Sequence, residues 1–180
     1  MTLNELYEAW RGKFTGQDAA ALEAMEQLLL HFSAFDSDAA LELGTEIVRQ
    51  SKQYGEDIAV CILRRADALP VFQYVGEHCA QRNLDFARRK ANTVERTGHC
   101  SLWALAKAEA ENTCTDLFRE ENDCLPVGGA FPIFEDGADG QMTALVMTSG
   151  LHHGKDHEAV VKALCTVQKK PMPAYHGPLV

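Results

Sequence analysis

The sequence predicts an α+β domain in which helices pack on an antiparallel sheet. Residues 57–75 and 128–149 each alternate as strand, turn and strand, and such hairpins build antiparallel sheets. Helical periodicity surrounds both hairpins instead of alternating with single strands, which disfavours a βαβ repeat. We find no internal repeat and no low-complexity segment.

Amphipathic helices are predicted ahead of the sheet. Residues 3–10 place four large apolar side chains at helical spacing, and residues 17–30 repeat that pattern. Residues 28–35 then alternate over a short distance, which is consistent with a strand.

The first hairpin follows a capped helix. Asp36 or Ser37 can accept the free N–H groups of its first turn, and Gly55 is its expected end. Residues 57–64 are too continuously apolar for a half-exposed strand, so we predict a central strand there. Residues 71–75 alternate as the second strand of the hairpin.

Two further helices and a loop separate the hairpins. Residues 82–98 carry apolar side chains at helical spacing, and Gly98 is the expected stop. Residues 101–111 favour another helix. Residues 111–127 are polar and acidic, so we predict a loop.

The C-terminal third contains the second hairpin, a closing helix and a tail. Residues 128–149 predict two strands around an Asp/Gly-rich turn. The closing helix is expected from about His157 to Gln168, with Asp156 as its N-cap. Residues 169–180 contain three prolines and should be extended.

Composition excludes several classes of protein. The chain has 180 residues, 46% of them apolar, and a net charge of −9, so it suits one compact domain and should not bind nucleic acid. No apolar run approaches the roughly 20 residues that span a bilayer, so no membrane association is expected. The N-terminus lacks a secretory pattern and the six cysteines form no C-x-x-C pair, which predicts reduced thiols in a cytoplasmic protein.

Three histidines fall close together before the closing helix. The expected cap at Asp156 puts His157 in the first helical turn, where the helix dipole favours a neutral imidazole. Such an imidazole can ligate a metal or accept a proton, or it can serve the structure alone, and both interpretations stay open. His152 and His153 are expected as solvated loop residues, because Gly154 argues that His153 lies outside the helix.

A basic triplet lies in the helix predicted at residues 82–98. Arg88, Arg89 and Lys90 cannot all share one helical face, because successive residues turn by about 100°. They are either a solvated surface or a clamp for a carboxylate or phosphate, and Arg89 can pair with Asp85 one turn earlier. His99 follows the helix end, where a structural hydrogen bond is commoner than a ligand role.

Four segments, in this order, resemble the GlcG/HbpS-like family, also called the haem-degrading domain family. They are DAALELG at 38–44, DFARRKANTVERTGHCSL at 85–102, GGAFPI at 128–133 and SGLHHGKDHEAVVKAL at 149–164. The similar branch is an uncharacterised protein family with bacterial and fungal members.

The resemblance implies a profilin-like fold, a five-stranded antiparallel sheet with helices on its faces. It divides the chain into an N-terminal helical extension (1–27), the GlcG/HbpS-like domain (28–168) and the proline-rich tail (169–180). It also implies a homo-oligomer built from dimers. Some family members bind haem, and some are reported to degrade it.

The resemblance also carries over a set of candidate ligand-binding residues. They are Arg88, Arg89, Lys90, His99, Ser101, Ser149, Gly150, Asp156 and His157. Either His99 or His157 would ligate haem iron, and the haem would be bound non-covalently because the chain has no C-x-x-C-H motif. The chain departs from the family at Cys100, where relatives often have serine, and over residues 104–127.

The leading functional hypothesis is therefore an oligomeric protein that binds a small anionic ligand, with haem as the candidate, at a subunit cleft. One alternative is a protein-interaction scaffold that uses the helix at residues 3–10. Another is a haem-degrading enzyme, although the sequence has no nucleophile elbow or phosphate loop, so catalysis would rest on the resemblance.

Overall fold

The computed structural model describes residues 15–113 and 119–173. The helix predicted at residues 3–10 and most of the proline-rich tail lie outside the described residues. The helices are α1 (Gly16–Leu29), α2 (Ser37–Ser51), α3 (Gln81–Thr97), α4 (Ser101–Glu111) and α5 (His153–Gln168). The strands are β1 (His31–Phe32), β2 (Ala59–Arg64), β3 (Leu69–Val75), β4 (Ala130–Glu135) and β5 (Met142–Ser149).

The strands form one five-stranded sheet in the order β1-β4-β5-β2-β3. Both predicted hairpins are present, and β5 pairs with β2 in the middle of the sheet, also antiparallel. The expected α+β class and strand number are confirmed. The expectation of a wholly antiparallel sheet is wrong at one edge, because β1 pairs parallel with β4. Strand β1 follows α1 directly and is only two residues long. One of its backbone hydrogen bonds runs from the Asp136 N–H to the Phe32 carbonyl oxygen at 2.8 Å.

Helices cover both faces of the sheet, because alternate strand residues point to opposite sides. On one face Val60, Ile62 and Val146 join the main core, which also receives buried residues of α1, α2, α4 and α5. On the other face Leu145 and Met147 lie in a smaller cluster with three buried residues of α3. The second cluster therefore fixes α3, which carries the basic triplet, against the centre of the sheet.

Helix α1 continues the main domain across the expected boundary at residues 27 and 28. Its side chains Leu22, Met25 and Leu29 are fully or almost fully buried in the main core. The described part of the N-terminal extension therefore packs as part of the same core.

Helix α5 begins earlier than predicted, and Asp156 is not its N-cap. His152 is the cap, and its Nδ1 accepts the Gly154 N–H at 3.2 Å, as a capping oxygen would. His153 is the first helical residue and is buried, so the expectation that it lies in a solvated loop is wrong. His152 is exposed, as expected. Asp156 lies in the first turn, free of the capping role.

Candidate functional site

A buried ion pair joins α3 to the start of α5. The Lys90 Nζ lies 2.7 Å from the Asp156 carboxylate, and the two side chains are 3% and 1% exposed. Lys90 also donates to the Thr148 carbonyl oxygen at 3.0 Å, and Asp156 accepts the Leu151 N–H at 3.2 Å. Burial raises the pKa of Asp156, and the Lys90 ammonium opposes that rise. These bonds fix the end of β5 between two helices.

Two neutral imidazoles lie beside this pair. Burial lowers the pKa of His157 to about 3 and that of His153 to about 2, and the nearby Lys90 charge adds to both shifts. The His157 ring lies against Phe131, with ring centroids 4.7 Å apart. Its Nδ1 has no hydrogen-bond partner among the described residues. The expected neutral form of His157 is therefore what the environment favours, with burial as the main cause.

Two glycines make room for these groups. A Cβ at Gly128 would lie 2.5 Å from the His153 carbonyl oxygen, and the Gly128 N–H donates to the His153 Nδ1 at 3.1 Å. Gly129 has a φ of 125°, and a Cβ there would lie 2.9 Å from the Lys90 Nζ. The GG pair in the sequence is thus explained by the close approach of α5 and of the lysine.

A small cavity borders His157 between α1, α5 and residues 172–173. Its volume is about 60 Å³, and apolar side chains such as Leu22 and Met25 line most of it. Pockets for small-molecule ligands usually measure roughly 300–1,000 Å³. In the described part of one chain, His157 is therefore beyond the reach of a haem.

The arginines of the triplet lie apart from this buried cluster. Arg88 and Arg89 both pair with Asp123, and Arg89 Nε lies 3.4 Å from its carboxylate. The expected partner of Arg89, Asp85, instead accepts from Gln81 at 3.2 Å. Arg88 is 56% exposed and Arg89 20% exposed, so the helix presents one cation to solvent, holds one half-buried and directs Lys90 to the core.

Ser101, Ser149 and Gly150 have evident structural contacts. The buried Ser101 hydroxyl accepts the Ala130 N–H at 3.0 Å and so joins α4 to β4. Ser149 is buried at the end of β5. Gly150 has a φ of 142°, and a side chain there would collide with the Asp57 carbonyl oxygen. Ser149 and Gly150 therefore belong to the turn that leads into α5, whereas Ser101 belongs to the contact between α4 and β4.

His99 has a different setting from the other candidates. Its Nδ1 lies 2.6 Å from the Glu26 carboxylate, which also accepts the Cys100 N–H at 2.6 Å. The ring stacks on Trp103, with centroids 3.7 Å apart and planes 17° apart. The His99 side chain is 35% exposed, whereas Glu26 is 8% exposed. A carboxylate accepts, so Nδ1 carries the hydrogen, and in the neutral imidazole Nε2 is then the nitrogen that has the lone pair.

Sequence reasoning missed Glu26, Trp103 and Asp123 as partners of the candidate residues. Glu26 had a signal, because it lies four residues after Leu22 on the apolar face of α1, where an acid needs a partner. Nothing in the sequence connects it to His99, which comes 73 residues later. Among the described residues no group of three or more His, Cys, Asp or Glu side chains could hold a metal ion.

The family model of haem degrading HbpS-like proteins matches residues 35–165 of this chain. The chain belongs to this family. Among curated relatives, it is 34% identical to a UPF0303 protein of Pseudomonas entomophila over 155 residues, 84% of this chain and 82% of that one. A UPF0303 protein of Paraburkholderia phymatum is 35% identical over 150 residues, 82% of this chain and 88% of the relative.

Solved structures share the fold of this HbpS-like chain. The crystal structure of the Ybr137w protein superposes with a TM-score of 0.73 at 25% identity, covering 84% of this chain and 87% of that one. The complex of PduOC with haem gives a TM-score of 0.53 at 14% identity, over 70% and 89% of the two chains. The resemblance found in the sequence is confirmed by these comparisons.

Proposed function

We propose that this protein is an oligomeric haem-binding protein in which His99 is the iron ligand. The observation that carries the proposal is the His99 imidazole, partly exposed and held through its Nδ1 by the buried Glu26 carboxylate. Membership of the HbpS-like family and the PduOC–haem relative support the choice of haem.

The pairing of His99 with Glu26 matches what metal-binding histidines need. A hydrogen bond from the other ring nitrogen to a carboxylate fixes the tautomer and makes the ligating nitrogen more basic. Trp103 fixes the ring plane through stacking and adds a flat apolar surface beside the imidazole. Bound haem would supply redox chemistry at iron, and His99 would orient it.

His157 fits the role of iron ligand less well than His99. It is 2% exposed, and the cavity beside it, about 60 Å³, is far smaller than a macrocycle. We therefore propose that His157 has a structural role at the start of α5 and that His99 binds the ligand.

The anionic groups of the ligand would interact with the arginines of α3. Arg88 and Arg89 pair with Asp123, and the charge of Asp85 also acts on Arg88, so an anion of the ligand would compete with these carboxylates for the guanidinium groups. Guanidinium groups suit carboxylates such as the propionates of haem. Lys90 is already compensated by Asp156 and is too deeply buried to take part.

The protein would act in the cytoplasm as a homo-oligomer without nucleic-acid partners. Among the described residues, no helix is both long and apolar enough to cross a membrane. The described cysteines are all free thiols, in keeping with the expected reducing compartment.

Haem titration tests the proposal directly. The Soret band of added haem should shift on binding, and His99→Ala should abolish the shift or weaken binding at least about tenfold. His78→Ala is the matched control, because His78 also pairs through Nδ1 with a carboxylate, Asp57, at 2.8 Å but is 85% exposed. An unchanged Soret spectrum in His99→Ala, or no binding by the unaltered protein, would refute the assignment.

A second titration separates iron ligation from recognition of the anion. Haem dimethyl ester lacks the two free carboxylates, so the unaltered protein should bind it more weakly than haem. The ester's affinity for Arg88→Ala should equal its affinity for the unaltered protein. If ester and free acid bind equally well to the unaltered protein, the arginines have no part in binding.

A further inference from the structure

Strand β3 forms an exposed edge of the sheet and is seven residues long. Its sequence, LPVFQYV, contains no charged residue. Proteins usually protect long edge strands with charges, bulges or prolines, because an open edge recruits another strand. Here a register shift and Pro70 lie towards the first half of β3, so within the described part of the chain the second half has neither protection.

Backbone groups in that second half point away from the sheet. The Gly76 N–H donates to the Ile58 carbonyl oxygen at 3.0 Å, which shows where β3 bonds to β2. Hydrogen-bonded pairs alternate along an antiparallel ladder, so Tyr74 also bonds towards β2. Gln73 and Val75 then turn their four N–H and C=O groups to the outer side of β3, where no described residue forms a backbone hydrogen bond with them.

Exposed apolar side chains surround this edge. Leu69 and Val75, on β3, are 52% and 43% exposed. Leu41, on α2, is 56% exposed. Helix α2 packs directly on β3, since Gly44 lies against the Phe72 ring with no room for a Cβ. Exposed apolar side chains therefore occur both on the edge strand and on the helix that covers one of its faces.

The exposed face of α2 has opposite charges at its two ends. Asp38 and Glu42 lie in its first half, and Arg49 and Lys52 lie at its end, all of them exposed. Helical spacing puts these four residues on one face. The Lys52 Nζ lies 3.3 Å from the Tyr74 hydroxyl, so this face borders the β3 edge. Arg49 also pairs with Glu46, and the Lys52 Nζ lies 4.0 Å from Asp57. A second α2 running antiparallel would set the acidic half of each helix opposite these two exposed cations of the other.

We propose that a second copy of this chain pairs its β3 antiparallel with this β3 around a two-fold axis. The two five-stranded sheets then form one continuous sheet, with the two α2 helices side by side. A stable interface buries about 800 Å² on each partner, more than one short strand provides, and α2 extends the contact. The inference deepens the oligomer part of the proposed function and does not depend on haem.

Two lysines on the open edge test the interface. The double variant Gln73→Lys, Val75→Lys places like charges opposite each other across the axis, which should weaken association by roughly 100-fold. Mass measured by light scattering and native mass spectrometry, without haem, should fall relative to the unaltered protein. Gln17→Lys, at an exposed position on α1, is the matched control and should keep the native mass.

Hydrogen exchange gives a readout at the interface itself. The Gln73 and Val75 amides should be protected in the unaltered protein and should exchange fast in the double variant, while the Tyr74 amide stays protected in both. That pattern also shows that the variant is folded. A monomeric unaltered protein, or a double variant with unchanged mass, would overturn the inference, whatever the haem titrations show.

Discussion

Neutralising Asp156 should destabilise the fold strongly, because Lys90 would remain buried without its anion. The two side chains are 1% and 3% exposed, so water cannot replace the lost partner. Breaking a buried ion pair from one side costs about 3–5 kcal/mol. Total stability is about 5–15 kcal/mol, and Tm falls by about 2–4 °C per kcal/mol in a chain of this size. We therefore expect Asp156→Asn to lower Tm by roughly 6–20 °C.

Urea unfolding followed by circular dichroism at pH 7 measures this effect. The double variant Lys90→Met, Asp156→Asn has neither charge of this buried pair. Its loss in free energy of unfolding should be about 2 kcal/mol smaller than the sum of the losses in the two single variants. The exposed pair of Lys107 and Glu111 is the control, and Glu111→Gln should leave the midpoint unchanged. A loss below about 1 kcal/mol for Asp156→Asn would refute the reasoning.

Three more outcomes are expected. Gly128→Ala should lower the free energy of unfolding by about 1–3 kcal/mol in a thermal melt, because the added Cβ would lie 2.5 Å from a carbonyl oxygen. Gly16→Ala is the control and should not lower it, because the space around Gly16 is open. Arg88→Ala should weaken haem binding and leave the urea midpoint unchanged, since the side chain is 56% exposed; a loss of several kcal/mol would make it structural. Unfolded histidines bind protons below about pH 6.5, whereas buried His153 and His157 have pKa values of about 2 and about 3. The free energy of unfolding should therefore fall by about 1.4 kcal/mol per pH unit for each histidine as the pH is lowered from about 6 to about 4. A urea midpoint that stays constant over this range would contradict the burial of two neutral histidines.

Local patterns were enough to predict most of the fold. Alternation within residues 57–75 and 128–149 identified both hairpins, and Gly98, with a φ of 73°, ends α3 as expected. The strand expected within residues 28–35 is present as β1, but its parallel pairing was not predicted, because the pairing depends on where α1 is packed. The start of α5 was misplaced because a histidine serves as its cap, a role that side-chain preferences give to Asp156.

The candidate site was harder to predict than the fold, because its contacts join distant parts of the chain. Lys90 had a local signal, since it lies three residues after Ala87 and four before Val94 on the buried stripe of α3. Its partner, Asp156, comes 66 residues later, and no spacing rule connects them. A charge run usually marks a solvated surface, so Arg88 was easier to place than Lys90.

The hydrogen bonds that Glu26 accepts from His99 and Cys100 affect where the chain can be truncated. The family match begins at residue 35, so a fragment cut to that limit would lack the carboxylate that steadies His99. Its imidazole would lose the hydrogen bond that fixes the tautomer and would keep only the contact with Trp103. The fragment would also lack the core residues Leu22, Met25 and Leu29 of α1, so weak haem binding by it would report both losses and not the behaviour of the whole chain.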